Sequence, residues 1–262
     1  MSQSSSVSIC TLDSAFLGLV DSYWAQFLGC SPGMLRHERT QLLRHAGLGD
    51  YAGCYIIEFG SAPVVSLPAN DVETYRDVIA RWQPGVVRTA AIAQAAFHDR
   101  IARIIGPAFI GYTDTKLFKK LAGDDARLLT DTDEKAVEIL RNACPAEEWD
   151  HGGSDFRPSE MVGVIRGQQL AAVASCEVWG EHIAHISIIA QPAFRGRGYA
   201  TTAVSELTRI VLARRLVPQY RTLEANQPSM AIARRLGFVQ YATSMAIRFR
   251  AANAKTNRSR TG

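Results

Sequence analysis

The 262-residue chain has no window of about 18 uninterrupted apolar residues, the length a membrane-spanning helix needs. The apolar run Phe16 to Val20 is short and flanked by Asp13 and Asp21. The opening stretch MSQSSSVSIC is polar and carries no basic segment. Neither a signal peptide nor a membrane partner is expected. There is no Cys-x-x-Cys pair. The five cysteines, Cys10, Cys30, Cys54, Cys144 and Cys176, are odd in number and widely spaced. That argues against a zinc knuckle or a disulfide framework, and for reduced thiols in a cytoplasmic protein. Charge of one sign is also scarce. A net charge of +4 and a pI near 8.9 slightly favour small anionic ligands but are too weak to call for nucleic acid. With 47% hydrophobic and 21% charged residues, the composition is that of a globular protein. The length allows one large domain or two of about 130 residues each.

Periodicity supplies the elements. Leu12 to about Gly29 has helical spacing through Phe16, Val20, Trp24 and Phe27. After the turn signal Ser31 to Gly33, a second helix is expected up to Gly47. CYIIEFGSAPVVSLP reads as two short strands around a Gly-Ser turn. Helices are expected from Asp71 to Trp82 and from Thr89 to Ile104, then strand and turn in IIGPAFIGYTD. Composition turns polar at Ala122 to Asp125, and a domain boundary is placed there. A strand and a helix follow, with Thr130 as N-cap and Asp133 as its capping-box partner. EEWDHGGSDFRPS reads as a loop. Three strands are expected at Met161 to Arg166, Leu170 to Val178 and His182 to Ala190, broken by Gly167-Gln168 and Gly180-Glu181. A helix from Tyr199 to about Leu216, a strand in YRTLEA, a helix stopped by Gly237 and one or two closing strands complete the chain. The fold class is α/β: a mixed-sheet domain at 126–250 behind a second, N-terminal α/β domain at 1–125. Residues 251–262 read as a frayed basic tail, with an arm for nucleic acid or an acidic partner as the alternative.

FRGRGYA, Phe194 to Ala200, carries the chemistry. A glycine-rich turn feeding a helix presents unpaired N–H groups and partial positive charge, an anion site. Gly196 and Gly198 let the backbone turn its N–H groups toward one anion. Arg195 and Arg197 add forked donors suited to phosphate. A Walker loop is excluded, because no Gly-Lys-Ser/Thr occurs. A dinucleotide fingerprint is a poor match, because Thr201 stands where its third glycine belongs and the turn follows the fourth strand of its domain. The pattern Arg/Gln-x-x-Gly-x-Gly/Ala is met in full by Arg195, Gly198 and Ala200.

In that pattern and its setting the chain resembles the GNAT superfamily of N-acetyltransferases. QPAF precedes the turn, a long helix and a strand follow, and Asn226 lies 11 positions before Gly237-Phe238. The likeness covers roughly Ala126 to Phe249. It implies the acyl-CoA N-acyltransferase fold and acetyl-CoA as cosubstrate. The pyrophosphate would lie on the backbone of Arg195, Gly196, Arg197, Gly198, Tyr199 and Ala200. The pantetheine arm would run along the backbone of Ile189 and Ala190, where family members splay two strands apart, with Asn226 beside it.

Amine acetylation needs a neutral nitrogen, a base for its proton, a positioned thioester and a proton for the departing thiolate. Family members commonly supply the last from a tyrosine one turn before the closing Gly-Phe, and Ala233 stands there. Tyr199, Tyr241, Ser229 or a water are the substitutes, and Ser229 shares a helix face with Ala233. Candidate bases are Glu177, Glu181, His182 and His185, with Glu177 favoured and His182 next. A metal site on His182-x-x-His185 is not expected, since residues three apart on a strand face opposite ways. Glu148, Trp149 and Asp150 form an acidic, aromatic group suited to a cationic amine, with a solvated loop and a packed Trp149 as the alternative.

Residues 1–125 lack such a turn. A decayed copy of the same fold is one reading of them. Shaping the acceptor cleft or making a homodimer interface are the roles expected of them. The activity expected is acetyl transfer from acetyl-CoA to a primary amine of a small molecule. A non-catalytic acyl-CoA sensor and an acyltransferase for longer chains are the alternatives.

Overall fold

The computed structural model describes residues 12–122 and 125–250. Cys10, Gly123, Asp124 and the basic tail 251–262 lie outside the described residues. In chain order the elements are α1 (Ser14–Leu28), β1 (Gln41–Arg44), β2 (Gly53–Glu58), β3 (Val64–Leu67), α2 (Val72–Ile79), α3 (Ala90–Phe97), β4 (Ile101–Tyr112) and β5 (Ala126–Leu128). There follow α4 (Glu134–Ala143), α5 (Ala146–Gly152), β6 (Met161–Arg166), β7 (Gln169–Trp179), β8 (Ile183–Ala190), α6 (Tyr199–Ala213), β9 (Val217–Leu223), α7 (Gln227–Leu236) and β10 (Val239–Phe249). The class is mixed α/β, as expected. No helix among the described residues is long and apolar enough to cross a membrane.

The chain divides into two compact units, Met1–Ala25 with Pro107–Thr243, and Gln26–Gly106 with Ser244–Gly262. These do not follow the boundary drawn at 125. The start of the chain and residues 107–122 go with the later half, and the second half of β10 goes with the earlier one. The division falls inside β4 and β10, where composition gives no signal. In the first unit the strands run β10-β4-β9-β8-β7-β6-β5. β5 to β8 pair antiparallel in sequence, β6–β7 and β7–β8 as hairpins and β5–β6 across α4 and α5. β8 and β9 are parallel, with α6 as the crossover between them. Side chains alternate across the sheet. Ala174, Cys176, Ala184 and Ile186 face a core closed by Ala203, Leu207 and Val211 of α6 and Ala233 and Leu236 of α7. Val173 and Ile189 face the other way, toward Val137 and Leu140 of α4.

The second unit has its own core, formed by Ile56, Leu67, Ile79, Trp82, Phe97, Met245 and Ile247. β1 pairs parallel with β3, and β2 antiparallel with it.

Three expectations fail locally. Residues 34–47 are not a helix. Gln41 to Arg44 pair in register with Val64 to Leu67, so a ladder overrides the helical propensity of Leu42, Leu43 and Arg44. The helix begun at Ala90 stops at Phe97, and His98 has φ +37°. The β-branched Ile101 and Ile104 belong to β4 instead, with Ile105 in the strand as expected. Residues 146–152, expected as a loop, form α5. Pro145 precedes its first turn, and Glu147 and Glu148 favour that turn's dipole. The capping box of Thr130 and Asp133 is present. Arg127 grips Asp133 through two hydrogen bonds of 2.8 Å and holds its carboxyl well below the usual carboxylate range.

Candidate active site

β8 is hydrogen-bonded to β7 along its whole length, from Ile183 opposite Trp179 to Ala190 opposite Ala172. Its parallel register with β9 runs only from Ile183–Val217 to Ile186–Tyr220. β9 stays paired to β4 as far as Leu223. The two strands therefore part after Ile186 and Tyr220, and Ser187 to Ala190 border an opening in the sheet. Gln191, whose N–H bonds Ala171 O at 3.0 Å, ends the strand. A single 3₁₀ turn, Pro192–Phe194, leads into Arg195.

Gly196 (φ +76°) and Gly198 (φ +84°) are both left-handed, and Gly198 is the N-cap of α6. A Cβ built on either would meet nothing within 4 Å, so the ground in front of both is open. The first α-helical bond is Thr202 N–H to Gly198 O, at 3.0 Å. The earlier N–H groups of that turn have no intrahelical acceptor. No acidic residue lies in the first turn of α6. Arg195 donates from Nε to Ala190 O at 3.2 Å and forms an ion pair with Glu148 of α5. Arg197 is exposed, with Cζ 5.8 Å from the Phe194 ring centroid. Arg166 covers the Tyr199 ring at 4.7 Å and pairs with Asp125 at 2.7 Å.

On the α7 side of the opening, Asn226 caps the helix, its Oδ1 accepting Ser229 N–H at 3.3 Å. Ser229 Oγ lies 2.9 Å from Tyr220 Oη. Tyr220 is buried, and burial pushes its phenol up to about 12. Ala233 is fully buried in the same apolar cluster as Tyr220 and Phe238. The structure thus brings Ser229 to a tyrosine, though one from β9 instead of from position 233.

On the other face His185 sits at the last paired stretch of β8. Its Nδ1 is 3.1 Å from Gln219 Oε1. Gln219, fully buried, donates from Nε2 to Tyr112 Oη, which also accepts Trp24 Nε1–H at 2.7 Å. Trp179 stacks on the imidazole at 4.2 Å and 14°. Burial, with the nearby Arg221 charge, pushes the His185 pKa down to about 4.

Glu177 stands directly across from His185 on β7 and is exposed. His182 is exposed in the turn before β8, its carbonyl accepting Val217 N–H at 2.8 Å. It lies at the end of β8 remote from the opening. Glu148, Trp149 and Asp150 are consecutive residues of α5. Glu148 holds Arg195, Asp150 is exposed, and Trp149 packs over Gly153, whose Cβ position is 2.5 Å from its ring. Tyr220, Gln219, Tyr112 and Trp24 were missed by sequence reasoning. No local signal marks them, because the partners of Gln219 lie 34 and 107 positions away. No three metal-ligating side chains cluster among the described residues.

The GNAT acetyltransferase family model matches residues 153–244. A search of curated proteins finds no match. Among solved structures, the chain is similar to a GNAT-family acetyltransferase from Colwellia psychrerythraea (18% identity, 60% of this chain and 61% of that one, TM-score 0.46). It is also similar to GCN5-related N-acetyltransferases from Kribbella flavida (15%, 64% and 65%, 0.46) and Sphaerobacter thermophilus (15%, 61% and 56%, 0.44). In each case it spans less than two thirds of the other chain. The matched segment runs from the loop before β6 to the first half of β10, with the arginine-glycine turn near its centre, and in it the chain is similar to the GNAT acetyltransferase family.

Proposed function

We propose that the protein transfers an acetyl group from acetyl-CoA to a primary amine of a small molecule, by direct attack in a ternary complex. The observation that carries this is the Arg195–Gly198 turn. Two left-handed glycines face open ground at the N-terminus of α6, beside the point where β8 leaves β9. The pyrophosphate rests on the N–H groups of Arg195 to Ala200, where the helix dipole and Arg197 favour negative charge. The pantetheine arm enters the opening, takes backbone hydrogen bonds from Ile189 and Ala190, and passes Asn226. The thioester then reaches the vertex at Ile186 and Tyr220. The amine nitrogen attacks the thioester carbon, its surplus proton passes to a base, the C–S bond breaks, and the departing thiolate accepts a hydrogen bond from Ser229, which Tyr220 supports, before taking a proton from solvent. A phenol near 12 is a weak acid, so this pair acts chiefly as a hydrogen-bond donor to developing thiolate charge.

Acetyl-CoA at about 100 times its Kd should raise Tm by roughly 5–10 °C, and Arg197→Glu should lose most of that shift. No shift at millimolar acetyl-CoA sinks the reading.

The Glu148–Arg195 pair places a carboxylate beside the pyrophosphate cradle. Glu148→Gln is therefore expected to tighten acetyl-CoA binding about 3–10-fold in calorimetry, by freeing Arg195 and removing like charge. If Glu148 binds the acceptor instead, donor affinity will stay level and the acceptor KM will rise.

A further inference from the structure

We propose that His185, held as its Nδ1–H tautomer by Gln219, takes the proton from the acceptor amine; this rests on the acyl-transfer reading above. The chain of contacts orients the imidazole from one end. Trp24 Nε1–H and Gln219 Nε2–H both donate to Tyr112 Oη, which aims the Gln219 carboxamide oxygen at His185 Nδ1. An acceptor oxygen there requires Nδ1 to carry the proton, leaving the Nε2 lone pair exposed. Nε2 has no hydrogen-bond partner among the described residues. Trp179 stacks on one face of the ring.

Position favours the same residue. His185 is one residue before Ile186, the last β8 residue in register with β9. Side chains alternate, so His185 reaches the vertex from the face opposite Tyr220 and Ser229. Base and thiolate hydrogen-bond donor then flank the thioester from the two sides of the sheet. The other candidates lack this orientation. Glu177 is exposed with no hydrogen-bond partner among the described residues, and His182 lies outside β8.

Several titratable and charged groups bear on His185. Arg221 lies on β9, Glu177 is opposite on β7, and Tyr112 of β4 acts through Gln219. From α1, Tyr23 packs edge-on to Trp24, and Asp21 is bonded to Tyr241. Burial and Arg221 keep the imidazole unprotonated at neutral pH. They equally favour a neutral amine over an ammonium ion. In the step, the amine nitrogen forms the C–N bond, its surplus proton passes to His185 Nε2, and the C–S bond electrons leave on sulfur. His185 then returns the proton to solvent and the thiolate takes one up from solvent, so the products are amide and free CoA thiol.

Two measurements on the full chain test this. Nitrogen-15 NMR of the wild-type imidazole should show a neutral Nδ1–H tautomer from pH 7.5 to about pH 5. An Nε2–H tautomer, or imidazolium at pH 7, overturns the assignment. Thiol release from acetyl-CoA is then followed with hydroxylamine, a small nucleophile that is unprotonated at pH 7.5. His185→Gln should lose about 100-fold or more in kcat, with the acetyl-CoA thermal shift intact. Imidazole should restore His185→Ala in a saturable way, which a purely structural role would not allow. His185→Gln within 5-fold of wild type overturns the proposal, and so does a wild type that binds acetyl-CoA without accelerating hydroxylamine. A wild type with no acetyl-CoA shift fails earlier, at the acyl-transfer reading itself.

Discussion

Gly198→Val is expected to leave a folded protein that binds acetyl-CoA at least 100-fold more weakly. Gly198 has φ +84°, a region that β-branched residues enter only with strain of about 1–3 kcal/mol. A Cβ there meets no protein atom within 4 Å, so nothing in the fold opposes the side chain sterically. The methyl groups instead enter the ground in front of the first turn of α6, where the pyrophosphate has to approach the backbone. Any relaxation toward negative φ would also turn the N–H groups away from a shared anion. Calorimetric titration with acetyl-CoA measures the loss, and thermal unfolding without ligand separates it from misfolding. Gly198→Ala should fall between the two. A valine variant that binds within 3-fold of wild type would show that the phosphates lie elsewhere.

Gly237→Ala is expected to act on stability instead, by about 2–5 kcal/mol. Gly237 ends α7 in the left-handed region at φ +82°. Its N–H reaches Arg234 O at 3.3 Å, and Phe238 N–H reaches Ala233 O at 3.0 Å. A Cβ would come within 2.0 Å of Leu117 O and 2.9 Å of Leu117 C. That backbone has little freedom to yield, because Lys119 N–H is bonded to Leu236 O at 3.0 Å. Strain and collision therefore add. Urea unfolding followed by far-ultraviolet circular dichroism measures the difference, and a loss under about 1 kcal/mol would mean that the 117–119 segment moves aside freely.

These two glycines also mark how much could be read in advance. Both were picked from the chain alone, Gly198 by its place between arginines at a helix start and Gly237 by ending an amphipathic run. The hairpins β6 to β8, the capping box and the helix after the turn were legible in the same way, because each depends on residues within a few positions of one another. Residues 34–47 were not. Whether Gln41 to Arg44 coil or extend depends on β3, a partner 23 positions away. The Ile-rich stretch after Phe97 reads equally as helix or strand until β4 takes its place in the sheet between β10 and β9. Glu148 looked like an acceptor-binding acid because its neighbours are acidic and aromatic. Only the turning of α5 brings it to Arg195, 47 positions on.

The sequence by itself determined the arginine-glycine turn, the helix that follows it and the stop at Gly237, since backbone conformation and helix-end chemistry are local. The tertiary structure alone decided which histidine is oriented, which tyrosine meets Ser229 and where the chain divides. Those depend on strand order and register, and strand register is fixed by burial on both faces of a sheet whose members lie up to a hundred positions apart.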